Sequence, residues 1–309
     1  MSALPTIPSN SRREQFAAEV DRLESMPGMA AILQPLLSYL QQPFEQQDMQ
    51  RIVDLISHDN SLAAQCLHMA NSPLFGLWQK ITTVRAAVVA LGLQRMREIA
   101  VSCCVLKLVP GNRTDKLENR NPAVFWEHSL ACALLARKLA KRLGVRDPEQ
   151  IYLAGLLHDL GFMVNLRVAA DEFYGLLHRA QTEHRRLEDL EQDAWGCSHT
   201  DVGGMLAVKW TLDPVIEDVI KYHHRLSSLS NCRSTVALVT LCDILCRANG
   251  LGYGYKEDLS IDWQRNEMID TMKEEWPVAR STNWSQVGPE LANYLNEVRK
   301  LVSVLFRLH

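Results

Sequence analysis

The chain has almost no imbalance of charge. Its 309 residues carry 33 Lys and Arg against 36 Asp and Glu, a formal net charge of −3. That removes the electrostatic footprint expected of a nucleic-acid-binding protein, so nucleic acid is not an expected partner. Long apolar runs are missing as well. Stretches such as 86–93 fall far short of the roughly 20 residues that a helix needs to cross a bilayer. The opening MSALPTIPSNSRREQF has no apolar h-region, so neither a secretory signal nor a membrane partner is expected and the chain reads as cytoplasmic. Low-complexity tracts are absent, and 47% hydrophobic with 22% charged residues is a globular composition able to bury a sizeable core. The eight cysteines form no C-x-x-C pair: Cys103 and Cys104 are adjacent, while Cys66, Cys132, Cys242 and Cys246 fall in apolar helical patterns. Disulfides and thiolate zinc sites are thereby disfavoured, and the thiols read as reduced core residues. There is no internal repeat and no alternating β-branched run between hairpin turns, which leaves an all-α fold.

Helix punctuation is plentiful. Asp48, Asp59 and Thr83 are N-cap candidates, Pro27-Gly28 and Asn71-Ser72-Pro73 are stops, and Gly92 is a break. Periodicity predicts helices over 94–108, 122–143, 148–160, 169–182, 185–194, 198–210, 214–224 and 234–248. The helix over 148–160 is expected to stop at Gly161. The polar run 112–121, NRTDKLENRN, has no apolar face and is the candidate linker, and 226–233 is a loop. Near the end, Leu291, Leu295, Val298, Val302 and Leu305 repeat at helical spacing, the mark of a helix docked on its own core.

Several ionisable residues stand on faces that ought to be buried. His128 shares a face with Cys132, Leu135 and Leu139; His158 and Asp159 end the apolar run IYLAGLLHD. His199 lies with Val202 and Leu206, His223 with Ile216, Val219 and Ile220, and Asp243 with Val236, Val239 and Cys246. A buried unpaired carboxylate is costly. A single inward histidine is commonly satisfied by a backbone partner, but inward His or Asp residues from five helices are all accounted for by convergence on a shared cation. Imidazole and carboxylate donors without thiolate suit iron, manganese, zinc or nickel.

The order His128, His158-Asp159, His199, His223, Asp243, at intervals of 30, 41, 24 and 20 residues, resembles the ligand order of HD-superfamily metal phosphohydrolases. Its contexts are WEHS, LLHDLG, HTDVG and KYHH. The stretches SHDNSLAAQCLHMANSPLFG, ITTVRAAVVALGLQRMREIAV and FWEHSLACALLARKLA narrow the likeness to the HDOD family of bacterial signalling proteins. This resemblance implies a two-lobed helical fold: an N-terminal helix (1–28), an N-terminal helical lobe (29–120), an HD-like core (121–250) and a C-terminal extension with a terminal amphipathic helix (251–309). Carried over by position, one divalent metal would take His128, His158, Asp159 and Asp243. A second would take Asp159 as a bridge with His199 and His223; His224 is the alternative at the double histidine but reads as the more exposed.

Two departures weigh against cyclic-dinucleotide cleavage of the HD-GYP kind. Phe162 follows HDLG where those enzymes carry lysine, and KYHH is followed by RLSSLS without a GYP segment. The later GLGYGY ending at Tyr255 lies beyond Asp243 and reads as coincidence. The leading expectation is a regulatory signalling module that binds a protein partner in a signalling pathway and takes a metal or nucleotide-like ligand in its HD pocket. The competing one is a metal-dependent phosphohydrolase, for which Lys209, Lys221 and Arg137 are the candidate phosphate contacts. Arg85, Arg95 and Arg97 read as a solvated basic face, and Asn71 and Ser72 as a helix stop.

Overall fold

In a computed structural model the described residues are 9–24, 34–40, 48–72, 76–108, 123–226, 230–255, 257 and 259–306. Among them every regular element is a helix. The N-terminal part comprises α1 (Ser9–Glu24), α2 (Gln34–Leu40), α3 (Met49–Ser57), α4 (Asn60–Ala70), α5 (Val84–Leu91) and α6 (Leu93–Leu108). The core follows as α7 (Ala123–Arg142), α8 (Pro148–Leu157), α9 (Gly161–Val168), α10 (Ala170–Glu183), α11 (Leu187–Trp195), α12 (His199–Lys209), α13 (Pro214–Tyr222) and α14 (Arg233–Ala248). The extension holds α15 (Glu267–Glu275), α16 (Pro277–Ser281) and α17 (Trp284–Phe306). The candidate linker 112–121 lies outside the described residues, as do 227–229 of the candidate loop.

The caps read from the sequence are in place. Asp48, Asp59 and Thr83 each accept from a backbone N–H in the first turn of α3, α4 and α5. These bonds satisfy donors that a helix start otherwise orphans. Asn71 does more than stop α4. Its amide donates to Leu67 O at 2.7 Å and Ile81 O at 2.8 Å and accepts from Ile81 N at 2.7 Å, which pins the start of α5 to the end of α4.

Helices α2 to α6 pack on one another as the N-terminal lobe, while α7 packs against α8, α14 and α17. The first helix belongs to the other side: α1 lies on α9, α11 and α12. Phe16 meets Trp195 edge-on at 5.1 Å, Arg167 pairs with Glu19 at 2.5 Å, and Lys209 pairs with Asp21 at 2.7 Å. In the extension, Leu291, Leu295 and Val298 are buried, so this part of the C-terminal stripe docks on its own core; the side chains of Val302 and Leu305 lie outside the described set. α15 and α16, short and mixed in composition, were not expected from periodicity.

The eight thiols are free, seven of them buried and Cys232 half-buried. One stretch exceeds the apolar lengths counted in the sequence: Pro148–Val168 spans 21 residues at mean hydropathy 1.2, long and apolar enough to cross a membrane. It is interrupted between α8 and α9, and 83% of its apolar window is buried inside the protein.

A buried ionic group joins the lobe to the core. Arg137 of α7 forms a close pair with Glu98 of α6 and reaches Glu149 of α8 at 3.4 Å, while Lys141 holds Glu149 at 3.0 Å. Ser102 and Tyr152 share a hydrogen bond of 3.1 Å beside it, and the Arg137 guanidinium lies 5.1 Å from the Tyr152 ring centre. Arg97, expected on a solvated face, is buried here instead. Burial, then the shared hydrogen bond with Glu149, pushes the Glu98 carboxyl up against the pull of Arg137. The folded state therefore keeps a proton that the unfolded chain loses near its ordinary pKa, and the stability held here falls as pH rises. Melting temperature is expected to decline between about pH 5 and about pH 8, and Glu98→Gln to flatten that decline. A slope unchanged in the variant would contradict the assignment.

Candidate metal centre

The centre is built where five core helices begin or end or cross. α8 starts with Asp147, whose carboxylate caps Glu149 N and Gln150 N at 3.1 and 3.0 Å, and it ends at His158. Gly161 does not terminate a longer helix, as the sequence suggested. It opens α9 after a tight turn in which Phe162 N bonds Asp159 O at 2.9 Å. The turn can form because Gly161 lies against α12: a Cβ there would sit 2.0 Å from His199 O. His199 in turn opens α12 behind the Ser198–Asp201 capping box. Asp213 and Pro214 start α13, which ends at His223, and Thr240 of α14 donates to His223 O at 2.7 Å.

All six residues singled out in the sequence meet. His128, His158, His223 and Asp243 are 0% exposed, His199 1% and Asp159 5%. Asp159 is central. Its Oδ2 lies 3.1 Å from His158 Nε2 and 3.5 Å from His128 Nε2; its Oδ1 lies 3.3 Å from His223 Nε2 and 3.6 Å from His199 Nε2. Asp243 Oδ1 is 3.2 Å from His128 Nε2. Ligand atoms of His128, His158 and Asp159 lie within 4.8 Å of one another, as do those of Asp159, His199, His223 and His224.

The outer partners decide which nitrogen faces inward. His128 Nδ1 is 2.6 Å from Leu251 O, His158 Nδ1 is 2.8 Å from Gly155 O, and His223 Nδ1 is 3.0 Å from Val219 O. A carbonyl only accepts, so each Nδ1 carries a proton and each Nε2 is the nitrogen turned to the centre, free to offer its lone pair when the ring is neutral. His199 is held the same way by Glu191, whose Oε2 lies 2.6 Å from Nδ1 and 2.8 Å from the backbone N. Glu191 is itself fully buried and bonded by Asn165 at 2.9 Å. The His128 and His158 Nε2 atoms then stand 3.3 Å apart, and neither oxygen of Asp159 or Asp243 has a hydrogen-bond partner. Acceptors facing acceptors in a dry interior call for a cation among them.

The electrostatics carry the same message. Burial would raise the Asp159 carboxyl, but His158 and His223 hold it well below its usual range. Burial opposes charge on His158 and His199, yet Asp159 and Glu191 respectively raise both. Asp243 is held down to about 2, against burial, by Arg247 first and then His128. The carboxylates of Asp159 and Asp243 lie among the histidine nitrogens. The residues fit a divalent transition metal by donor type, orientation and charge.

Sequence reasoning missed four participants and left a fifth, His224, as an alternative. Glu191 sits one helical turn from Leu187 and Trp195 on the buried side of α11, a face the acidic run LEDLEQD obscured. His224 is the more exposed of its pair, as expected, with its side chain 8% exposed against 0% for His223, yet its Nε2 lies 3.0 Å from His199 Nε2, so both histidines reach the centre. The GLGYGY segment takes part without acting as a GYP motif: the Leu251 carbonyl orients His128, and Tyr253 packs on it with ring centres 5.0 Å apart. Arg247 pairs with Asp243 at 3.1 Å. The candidate phosphate contacts are engaged elsewhere: Arg137 with Glu98 and Glu149, Lys209 with Asp21, and Lys221 with Glu217. Phe162, at the lysine position, lies 4.3 Å from the His199 ring.

Because the Gly161 contact is to backbone, Gly161→Ala is expected to destabilise the fold by about 2 kcal/mol or more in denaturant unfolding. A midpoint unchanged from wild type would show that α9 and α12 are not locked by this approach.

Comparison with known proteins places this geometry in a family. Residues 26–226 match the family model of the HDOD domain. An HDOD domain protein of unknown function from Geobacter sulfurreducens superposes with a TM-score of 0.78 at 26% identity, over 97% of this chain and 99% of that one. A Shewanella amazonensis protein, provisionally named a phosphohydrolase, shares the fold with a TM-score of 0.68 at 21% identity, over 94% and 98% of the two chains. An uncharacterised protein of Treponema pallidum is 26% identical over 217 residues, 68% of this chain but only 40% of the relative's own length. Asp243, Arg247 and Tyr253 lie beyond the matched region, yet they complete the centre. With the family model covering well over half of its length, the chain belongs to the HDOD family.

Proposed function

We propose that this protein is a regulatory HDOD module whose core is organised by one or two divalent transition-metal ions and whose lobes engage a protein partner in a signalling pathway. The observation that carries the metal assignment is the set of pinned imidazoles: four rings, each held at Nδ1, aim Nε2 at the two unbonded oxygens of Asp159. His128, His158, Asp159 and Asp243 would hold one ion; Asp159, His199, His223 and His224 would hold the other. Iron, manganese, zinc and nickel all suit this donor set. Bound there, a metal would link the inner polar groups of helices that already share an apolar core, and would stabilise the folded core by linkage.

Regulation is favoured over turnover by the closure of the centre. Its six inner residues are 5% exposed or less, and Phe162 covers His199 where HD-GYP enzymes carry a lysine. Partner binding is supported by apolar side chains left outside the N-terminal lobe: Trp78 is fully exposed, and Val89 on α5 is largely so. Large aromatic groups are frequent anchors at protein interfaces.

The phosphohydrolase alternative draws on the same donor set, since a divalent cation there could polarise a phosphoester and activate water. Two measurements separate the readings. Elemental analysis of protein purified without a metal-affinity tag is expected to find bound transition metal, and chelation to lower the melting temperature. Protein that is metal-free and indifferent to chelator would contradict the metal assignment. Cyclic-dinucleotide hydrolysis with manganese or iron supplied is expected at background for both wild type and Asp159→Ala; metal-dependent turnover abolished in the variant would make the protein an enzyme. Glu191→Gln is expected to weaken metal retention by about tenfold or more, because it loosens the ring that presents His199 Nε2. Unchanged retention would remove that role.

A further inference from the structure

An open cleft of about 460 Å3 lies between α14, the irregular segment that follows it, and α17. Leu245 brings α14 to this cleft. It stands two residues from both Asp243 and Arg247, so it occupies the opposite face of the helix from the metal centre. Trp263 forms one wall. Its indole lies against α17 at Gly288, where a Cβ would sit 2.4 Å from Cε2 and 2.6 Å from Nε1, so this approach requires glycine. Ile261 and Ala292 add apolar surface beside Leu245. Two features supply acceptors. Pro289 lies inside α17 and has no N–H, so the carbonyl of Ser285, which lines the same cleft, lacks its helical donor. Asp262 is fixed at the rim because its Oδ1 accepts from Gln264 N at 2.9 Å and Arg265 N at 3.1 Å, neither bond using its other oxygen. Those two N–H groups hold its carboxyl below the usual range, with the Arg265 charge the smallest contribution.

A cleft of this volume, with aromatic and aliphatic walls and a few fixed polar groups, has the make-up of a small-molecule site. Its charge decides the ligand class. Among the described residues that line it, Asp262 is the one charged side chain. An anionic ligand would therefore meet a carboxylate and a spare carbonyl with no cation to offset them. We propose that the cleft binds a small amphipathic cation, an aromatic ring carrying an ammonium group, with the ring against Trp263, Leu245 and Ala292 and the ammonium donating to Asp262 and to the Ser285 carbonyl. An ammonium offers donors alone, the complement of these two acceptors. The indole adds to the same preference, since its face attracts both apolar rings and cations. The site is independent of the metal reading, and it lies in the part of the chain beyond the region that matches the family model.

The test titrates three indoles of different charge into the full chain by calorimetry at low salt: tryptamine, neutral 3-methylindole and anionic indole-3-acetate. Tryptamine is expected to bind saturably at one site, and indole-3-acetate about tenfold more weakly or worse, because attraction to Asp262 becomes repulsion. Asp262→Asn keeps an acceptor for the two backbone donors. It is expected to weaken tryptamine about fivefold, the scale of an exposed ion pair, and to leave 3-methylindole unchanged. Ala292→Leu fills the cleft and is expected to abolish binding of both rings at an unchanged melting temperature. Wild-type protein that does not bind tryptamine saturably would overturn the proposal, as would indole-3-acetate that binds equally well. Tryptamine affinity unaltered by Asp262→Asn, or lost together with that of 3-methylindole in this variant, would also overturn it. If Ala292→Leu does not fold, the Asp262→Asn comparison decides.

Discussion

The structure turns on one carboxylate. Asp159 sits in the turn between α8 and α9 with both oxygens turned toward imidazole nitrogens from four directions and no hydrogen bond to either. Such a group is tolerable in a dry interior only with positive charge beside it. Much of the surrounding architecture brings nitrogens up to it. The turn needs Gly161 so that α9 can approach α12; α12 needs its capping box so that His199 opens the helix at the right height; α14 must cross near enough for Asp243 and Arg247 to reach the same space.

The outer ring is as consequential as the inner one. Imidazoles bind metals through whichever nitrogen is unprotonated, and that choice belongs to the neighbour of the other nitrogen. Here three neighbours are backbone carbonyls and one is the buried Glu191. The carbonyl that sets His128 comes from Leu251, past the end of the last core helix, so the centre is finished by the chain that leaves the core. The ionic group of Glu98, Arg137 and Glu149 gives the N-terminal lobe a contact with α7 and α8, the helices that carry His128 and lead into His158.

How much of this was legible depended on periodicity. Helical spacing placed His128 with Cys132 and Leu139, and Asp243 with Val239 and Cys246, on faces that proved fully buried. That was enough to assemble six residues before any coordinates. Caps at Asp48, Asp59 and Thr83 were equally readable, because a side-chain acceptor before an apolar run has one main use. What failed were features without a period. Gly161 looked like a stop because its role is a contact with α12, distant in sequence. Tyr253 lies in an irregular segment, where no spacing says which way a ring points. His224 is the more exposed of the double histidine, as read, but it also reaches the centre, because α13 gives way at His223 and the helical face no longer applies. Glu191 was hidden in an acidic run whose Asp189 and Asp193 face solvent.

The central claim is that the converging nitrogens hold a metal and are not a hydrogen-bonded polar cluster. Anomalous diffraction from crystals of the untreated protein, collected above and below the absorption edges of manganese, iron, nickel and zinc, tests it directly. The account predicts a peak beside Asp159 within about 2.0–2.2 Å of histidine Nε2 atoms. Imidazoles bonded to one another or to water, with no anomalous peak among them in untreated or metal-soaked crystals, would contradict it.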